Sequence, residues 1–140
     1  MQKIKFATFF SQGLGIEFLR HIERCLCLLF VIDLSQPDPV EQLRILKSEL
    51  EHYKPGLSER PHAIVGNKVD LEDAKENAQV VERFARDSGI PCFNIAGKIG
   101  LNVREVLLFM KDKFDENLIK ETAMKEERKK MAEREMQLNV

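Results

Sequence analysis

Hydrophobic positions divide the chain into short continuous runs and longer segments of helical period. Leu26–Ile32 is apolar throughout and ends at Asp33. A run of that length fits a strand buried on both faces, as in a parallel sheet. Ser35–Pro39 is a turn. Asp38 then stands as an N-cap, Pro39 takes the first helical position, and Glu41 completes a capping-box pattern. Val40, Leu43, Leu46, Leu50 and Tyr53 recur at helical spacing, and Lys54-Pro55-Gly56 stops that helix. Ala63–Val65 is a second short apolar run, opened by Pro61-His62 and closed by Gly66. From about Asp73 to Ser88, Ala74, Ala78, Val81, Phe84 and Ala85 give a helix its apolar stripe. Gly89 and Pro91 end it. Cys92–Ile95 is a third strand. Asn102 and Glu105 pair as cap and box partner of a last helix, which carries a core stripe of Val103, Val106, Leu107, Met110 and Phe114. No Gly or Pro interrupts it before Val140.

With Phe18–Arg24 read as a helix, the order is helix, strand, helix, strand, helix, strand, helix. That alternation predicts an α/β fold built of βαβ units on a parallel sheet. Ligands of such sheets bind outside the carboxyl ends of the strands. The residues after Ile32, Gly66 and Ile95 are therefore the ones to test for chemistry.

Composition narrows the function classes. The chain has 140 residues, enough for one domain or a piece of one. Apolar residues make up 44%, which excludes a disordered chain. A net charge of −1 offers no bulk attraction to nucleic acid or anionic lipid. The charged fraction, 32%, exceeds the usual ~25%, and the excess lies in Lys111–Arg134. There it predicts a solvated helical extension with i,i+4 support, a partner-binding helix being the alternative. Three cysteines are too few for a disulfide scaffold and point to a reducing compartment. Cys25 and Cys27 share one strand face and Cys92 stands alone, so all three read as small buried residues rather than zinc ligands. No run approaches the ~18–20 apolar residues of a bilayer span. Residues 1–16 carry Lys3 and Lys5 and no acid, a faint organelle-targeting pattern.

Chemistry concentrates after the second and third strands. Asn67-Lys68-Val69-Asp70 follows the second. A carboxylate only accepts hydrogen bonds, and it can take two in parallel. Guanine offers that donor pair from its ring N–H and exocyclic amine; adenine does not. Lys68 can lay its methylene stem over the base, and the Asn67 amide can bridge base and backbone. After the third strand come Ala96, Gly97 and Lys98. The Ala96 N–H is placed to donate to the guanine carbonyl, and Lys98 to cover the face opposite Lys68. The alternative is an ordinary polar turn at a strand end.

Asn67–Asp70 resembles the guanine-specificity motif of P-loop GTPases, and Ala96–Lys98 is similar to their Ser-Ala-Lys loop. Gly13-Leu14-Gly15 followed by Phe18–Arg24 resembles the helix after switch II in the Obg family. Arg60–Val65 also resembles that family, especially its mitochondrial ribosome-associated members. The likeness covers about Gly13 to Phe114. It implies a partial P-loop GTPase-type three-layer fold: a parallel sheet of about three strands flanked by helices, with a long C-terminal helix. It divides the chain into a divergent segment at 1–12 able to form a strand, a partial Obg-type G domain at 13–118, and a charged helical extension at 119–140.

The departures are specific. A phosphate loop needs Gly-x4-Gly-Lys-Ser/Thr. Here the only Gly-Lys pair is Gly97-Lys98, followed by Ile99, with Cys92 at the place of the first glycine. No Asp-x-x-Gly occurs. Ser-Ala of the specificity loop is replaced by Ala96-Gly97, which removes a bracing hydroxyl. The resemblance therefore implies guanine-binding residues Asn67, Lys68, Asp70, Ala96, Gly97 and Lys98, with no catalytic residue and no metal ligand. GTP or GDP is the implied ligand, held weakly, with magnesium only alongside the missing half. The implied role is a GTP-binding protein of mitochondrial or otherwise cytoplasmic location, linked to ribosome assembly through the large subunit. Arg20, His21 and Arg24 are its implied ribosome-facing or switch surface, a solvated helix face being the alternative. The competing reading of the whole chain is a non-catalytic interaction module or truncated gene product. One expectation concerns the sheet. Leu26–Ile32 would be left as an edge strand, and Lys3–Phe10, rich in β-formers, is able to cover it as a surrogate strand, a strand supplied by a partner chain being the alternative.

Overall fold

A computed structural model describes the backbone at residues 5–8 and, with side chains, residues 17, 20, 25–60 and 62–139. Four parallel strands lie in chain order: β1 (Lys5–Thr8), β2 (Leu28–Asp33), β3 (His62–Asn67) and β4 (Cys92–Asn94). Helix α1 (Pro39–Tyr53) connects β2 to β3, α2 (Ala74–Ser88) connects β3 to β4, and α3 (Val103–Leu138) follows β4. The three expected strands are present, and β1 pairs with β2 from Lys5↔Leu28 to Thr8↔Val31, as the surrogate strand required.

Alternation along β2 divides the core in two. Leu28, Phe30 and Ile32 face α1 and α2, where they pack with Leu43, Leu46, Leu50, Ala78, Val81 and Ala85. Leu29 turns the other way, with Ala63, Val65 and Val106. Strands stepping across a sheet in one direction with crossovers of one hand put both connecting helices on the same face. α3, with no later strand to reach, takes the opposite face.

Several local expectations need correction. β2 begins at Leu28, not Leu26, because Leu26-Cys27 forms a bend whose preceding carbonyl, on Cys25, accepts from Arg60 Nη1 at 2.9 Å. Asp38 and Asn102 do occupy N-cap positions, but neither side chain caps its helix. Both adopt left-handed backbone, with φ of 52° and 59°. The Asp38 carbonyl still accepts the Gln42 N–H at 3.1 Å, and Asn102 Nδ2 donates instead to Asn94 O at 2.9 Å. The stripe on α3 also shifts. Val106 is buried, whereas Leu107 and Phe114 are 56% and 45% exposed. Phe109 and Met110 pack on the sheet. Lys113 follows on the same side, its ammonium 5.7 Å from the Phe109 ring centroid. A lysine stem can occupy a half-buried position while its charge stays wet, which a reading of apolar letters alone does not register.

His62 opens β3 beneath Phe30, edge to face with ring centroids 5.3 Å apart. Its Nδ1 lies 2.6 Å from the Arg60 carbonyl, which can only accept, so Nδ1 carries the proton. Nε2 is buried without a partner. Burial first, against a raising contribution from that carbonyl, holds the imidazole below its ordinary value. The unfolded chain therefore binds this proton more readily than the folded one. Stability from a neutral His62 is complete above the unfolded value near 6.5 and is lost as pH falls through the lowered folded one. Denaturant midpoints measured from pH 7.5 to pH 5 are expected to fall, with a shallower dependence in His62→Asn.

Candidate functional site

The carboxyl ends of β2, β3 and β4 meet at one edge of the sheet. Asp33, last in β2, is in register with Asn67, last in β3. Beyond Asn67 the chain turns through Lys68, whose φ is 71°. A left-handed lysine is uncommon and is sustained only by its surroundings. Here the Val69 N–H donates to Ile95 O at 3.0 Å and the Leu71 N–H to Lys68 O at 3.1 Å. The turn thus hangs from the chain that leaves β4.

The second loop is braced by its own backbone. Ala96 and Leu101 exchange both backbone hydrogen bonds at 3.1 Å, and the Ile99 N–H donates to Ala96 O at 3.2 Å. The Gly97 N–H donates to Asn67 Oδ1 at 3.0 Å, which ties the two loops together. Between them lies a cleft of about 280 Å³ lined by Asn67, Lys68, Asp70, Leu71, Gly97 and Lys98.

Five of the six expected residues therefore line one cleft. Ala96 does not: it is 1% exposed, and its N–H is turned inward onto Leu101. The backbone N–H that faces the cleft is one residue on, at Gly97, and it is given to Asn67 Oδ1. Leu71 and Asp33 were not anticipated. Asp33 carries a signal only in retrospect, as the polar end of a buried strand lying beside the motif.

Charges in the cleft are arranged unequally. Lys68 Nζ lies 2.7 Å from Asp33 Oδ2. Asp33 Oδ1 accepts from the Ser35 N–H at 2.9 Å and the Ser35 hydroxyl at 2.6 Å. Burial raises the Asp33 carboxyl, but hydrogen bonds from Lys68 and Ser35 outweigh it and hold the group below its ordinary value. Asp70 is exposed and makes no hydrogen bond or ion pair among the described residues. Asn67 Nδ2 likewise has no partner there. A two-oxygen acceptor, an amide donor and a lysine stem around one cleft match the edge and face of a guanine base.

A larger concavity of about 370 Å³ lies between the start of α1 and α2. Apart from the exposed Asp38 carboxylate, its polar side chains are engaged with neighbours on the protein. Asn77 Nδ2 donates to Leu34 O and Gln36 O at 2.8 and 3.0 Å, and Arg44 pairs with Glu41 at 3.4 Å. Cys25 and Cys27 are buried, and Cys92 is half-buried. Burial pushes the Cys92 thiol up to about 11 and raises that of Cys27, so both stay protonated near neutral pH. No grouping of His, Cys, Asp and Glu among the described residues would hold a metal ion. Arg20 is exposed on helical backbone; His21 and Arg24 lie outside the described residues.

Gly66 explains how the loops come so close. A Cβ there would collide with Asn94 Oδ1 and lie 2.9 Å from Leu34 Cδ1. Asn94 cannot easily yield, since its Nδ2 donates to Glu82 Oε1 at 2.7 Å. Gly66→Ala is expected to destabilise the protein by about 1–3 kcal/mol, read from the denaturant midpoint.

Known proteins resemble this chain in sequence. The model of the Ras family matches residues 17–116. Mitochondrial ribosome-associated GTPase 2 from Pongo abelii and from Homo sapiens are each 48% identical over 105 residues, covering 75% of this chain and 25% of the relative. GTPase Obg from Protochlamydia amoebophila is 40% identical over 100 residues, 69% of this chain and 30% of the relative. The chain spans about a quarter of the length of the relatives named from Pongo abelii and Homo sapiens. A base-sized cleft at the strand ends, the motif that lines it and these matches agree: the chain belongs to the Ras family, as a partial G domain of the Obg type.

Proposed function

We propose that this chain binds guanine nucleotides, GTP or GDP, through the cleft between Asn67–Leu71 and Gly97–Lys98. In this reading it is the base-reading part of an Obg-type GTPase. The observation that carries it is the unengaged Asp70 carboxylate on the rim of a cleft that also offers Asn67 Nδ2 and the Lys68 stem. Asp70 accepts the two donors of guanine, Lys68 and Lys98 cover its faces, and Asn67 with Gly97 joins the loops beneath it. GTP or GDP enters by its base. The sequence has no Gly-x4-Gly-Lys-Ser/Thr and no Asp-x-x-Gly, so this chain supplies neither a phosphate cradle nor a magnesium site. The relatives from Pongo abelii and Homo sapiens are mitochondrial ribosome-associated GTPases by name, which supports a place at the mitochondrial ribosome, with the large subunit as the partner implied by the Obg likeness.

Without phosphate contacts, affinity is expected in the millimolar range, on the order of 4 kcal/mol. Guanosine titrated against the labelled protein should shift resonances around Asn67–Leu71, while adenosine should not. Asp70→Ala is expected to abolish that preference; an unchanged guanosine response in this variant would sink the reading. Phosphoryl transfer depends on positioning and on charge stabilisation that this sequence does not encode. Phosphate release from GTP should therefore equal the buffer control. Release that survives exhaustive purification and is lost in Asp70→Ala would contradict this.

A second reading rests on α3. Leu107, Phe114 and Leu118 are each about half exposed on a helix that continues to Leu138. They favour an interaction module, the reading that gains if guanosine and adenosine behave alike.

A further inference from the structure

We infer that Asp33 is a positioning residue for base recognition, holding Lys68 by its ammonium so that the lysine stem stays on the wall of the cleft. The inference rests on the guanine-site reading above. It starts from a contact that guanine recognition itself does not require: Lys68 Nζ on Asp33 Oδ2 at 2.7 Å.

Three observations carry it. First, Asp33 is itself rigidly placed. Gln42, buried in α1, accepts the Asp33 N–H through Oε1 at 3.1 Å and donates through Nε2 to the Asp33 carbonyl at 3.0 Å. Ser35 holds the other carboxylate oxygen. Second, the pair is too exposed to matter much to the fold. The Lys68 and Asp33 side chains are 47% and 30% exposed, and such pairs contribute little to stability. Third, Lys68 sits in left-handed backbone, a strained conformation for a residue with a side chain, at the mouth of the cleft.

Together these form a relay from helix to ligand: Gln42 fixes the end of β2, Asp33 fixes the Lys68 ammonium, and the Lys68 stem lines the cleft. A lysine side chain has many rotamers, and freezing them before the ligand arrives reduces the entropy lost on binding. The pair has a second effect. Lys68 is the cation nearest to Asp70 in sequence. With its charge held by Asp33, it is not available to neutralise the carboxylate that reads the base.

The test is a double-mutant cycle on guanosine affinity, using the whole chain. Guanosine is neutral, so phosphate electrostatics do not enter. Asp33→Asn removes the charge and keeps an oxygen for Ser35. Lys68→Met keeps an apolar stem and removes the ammonium. Each is expected to weaken guanosine binding about three- to fivefold, the scale of a partly exposed pair. The double variant should lose no more than either single one, because both break the same link. Thermal midpoints serve as the folding control, and Lys68→Met tests the link from the other side if Asp33→Asn folds poorly. Unchanged guanosine affinity in Asp33→Asn, or losses that add independently in the double variant, would overturn the inference while leaving the base site standing. Equal binding of guanosine and adenosine by the unaltered protein would overturn the base site, and this inference with it.

Discussion

The parallel pairing of β2 with β3 is the constraint on which the rest depends. Both strands are almost wholly buried, and their register runs unbroken from Leu28↔His62 to Asp33↔Asn67. A one-residue slip would exchange every side chain between the two cores, so the hydrophobic pattern fixes the register strongly. Polar chemistry begins where that apolar pairing stops. The Leu34 N–H still reaches Asn67 O at 3.0 Å, but beyond it the chains separate. Asp33 and Lys68 then face each other across the gap. Gln42 acts as a substitute ladder there, offering the Asp33 backbone an acceptor and a donor from one buried amide. A buried amide satisfied at both ends stiffens the strand end at little cost.

Most of this fold is legible in the letters because its elements obey simple periods. The runs at Leu26–Ile32 and Ala63–Val65 lie within one or two residues of the ends of β2 and β3. The stripes of Leu43, Leu46 and Leu50, and of Ala74, Ala78, Val81 and Ala85, are buried as their spacing requires. The site motif was legible for another reason: Asn67–Asp70 falls at a strand end, where a sheet of this kind holds ligands. What escaped depends on backbone geometry with no one-letter signature. Asp38 and Asn102 have the composition of side-chain caps, but left-handed φ values turn their side chains from the helix ends. Ala96 and Gly97 differ by one position. Only the backbone exchange with Leu101 decides which amide faces inward. Asp33 was hidden because its partner lies 35 residues away.

α3 illustrates the limit of pattern reading in another way. It runs for 36 residues, yet Val106 is its one fully buried position among the described residues. Its later turns are held by side-chain pairs such as Lys111–Asp115 at 2.6 Å and Asn117–Glu121 at 3.1 Å. Exposed pairs of this kind contribute only a few tenths of a kcal/mol each. A free helix of about 20 residues would be marginal in water. Continuity with the packed first turns removes the nucleation cost, so the distal part propagates an existing helix rather than starting one.

The same distinction between starting and continuing applies to the cleft. Base recognition by a carboxylate is selective because the wrong base leaves that carboxylate desolvated and unpaired. That penalty grows with how dry and how rigid the acceptor is. Rigidity is present: the loops are joined by Gly97 and Asn67, and Lys68 is held from Asp33. Dryness is not, because Asp70, Gly97 and Lys98 are all exposed. Water can replace either lost hydrogen bond at an open rim, so discrimination here is bounded by solvent access rather than by the positions of the groups. In the proposed site, a surface laid over the rim would therefore raise selectivity and affinity together, without moving any of the residues assigned there to the base.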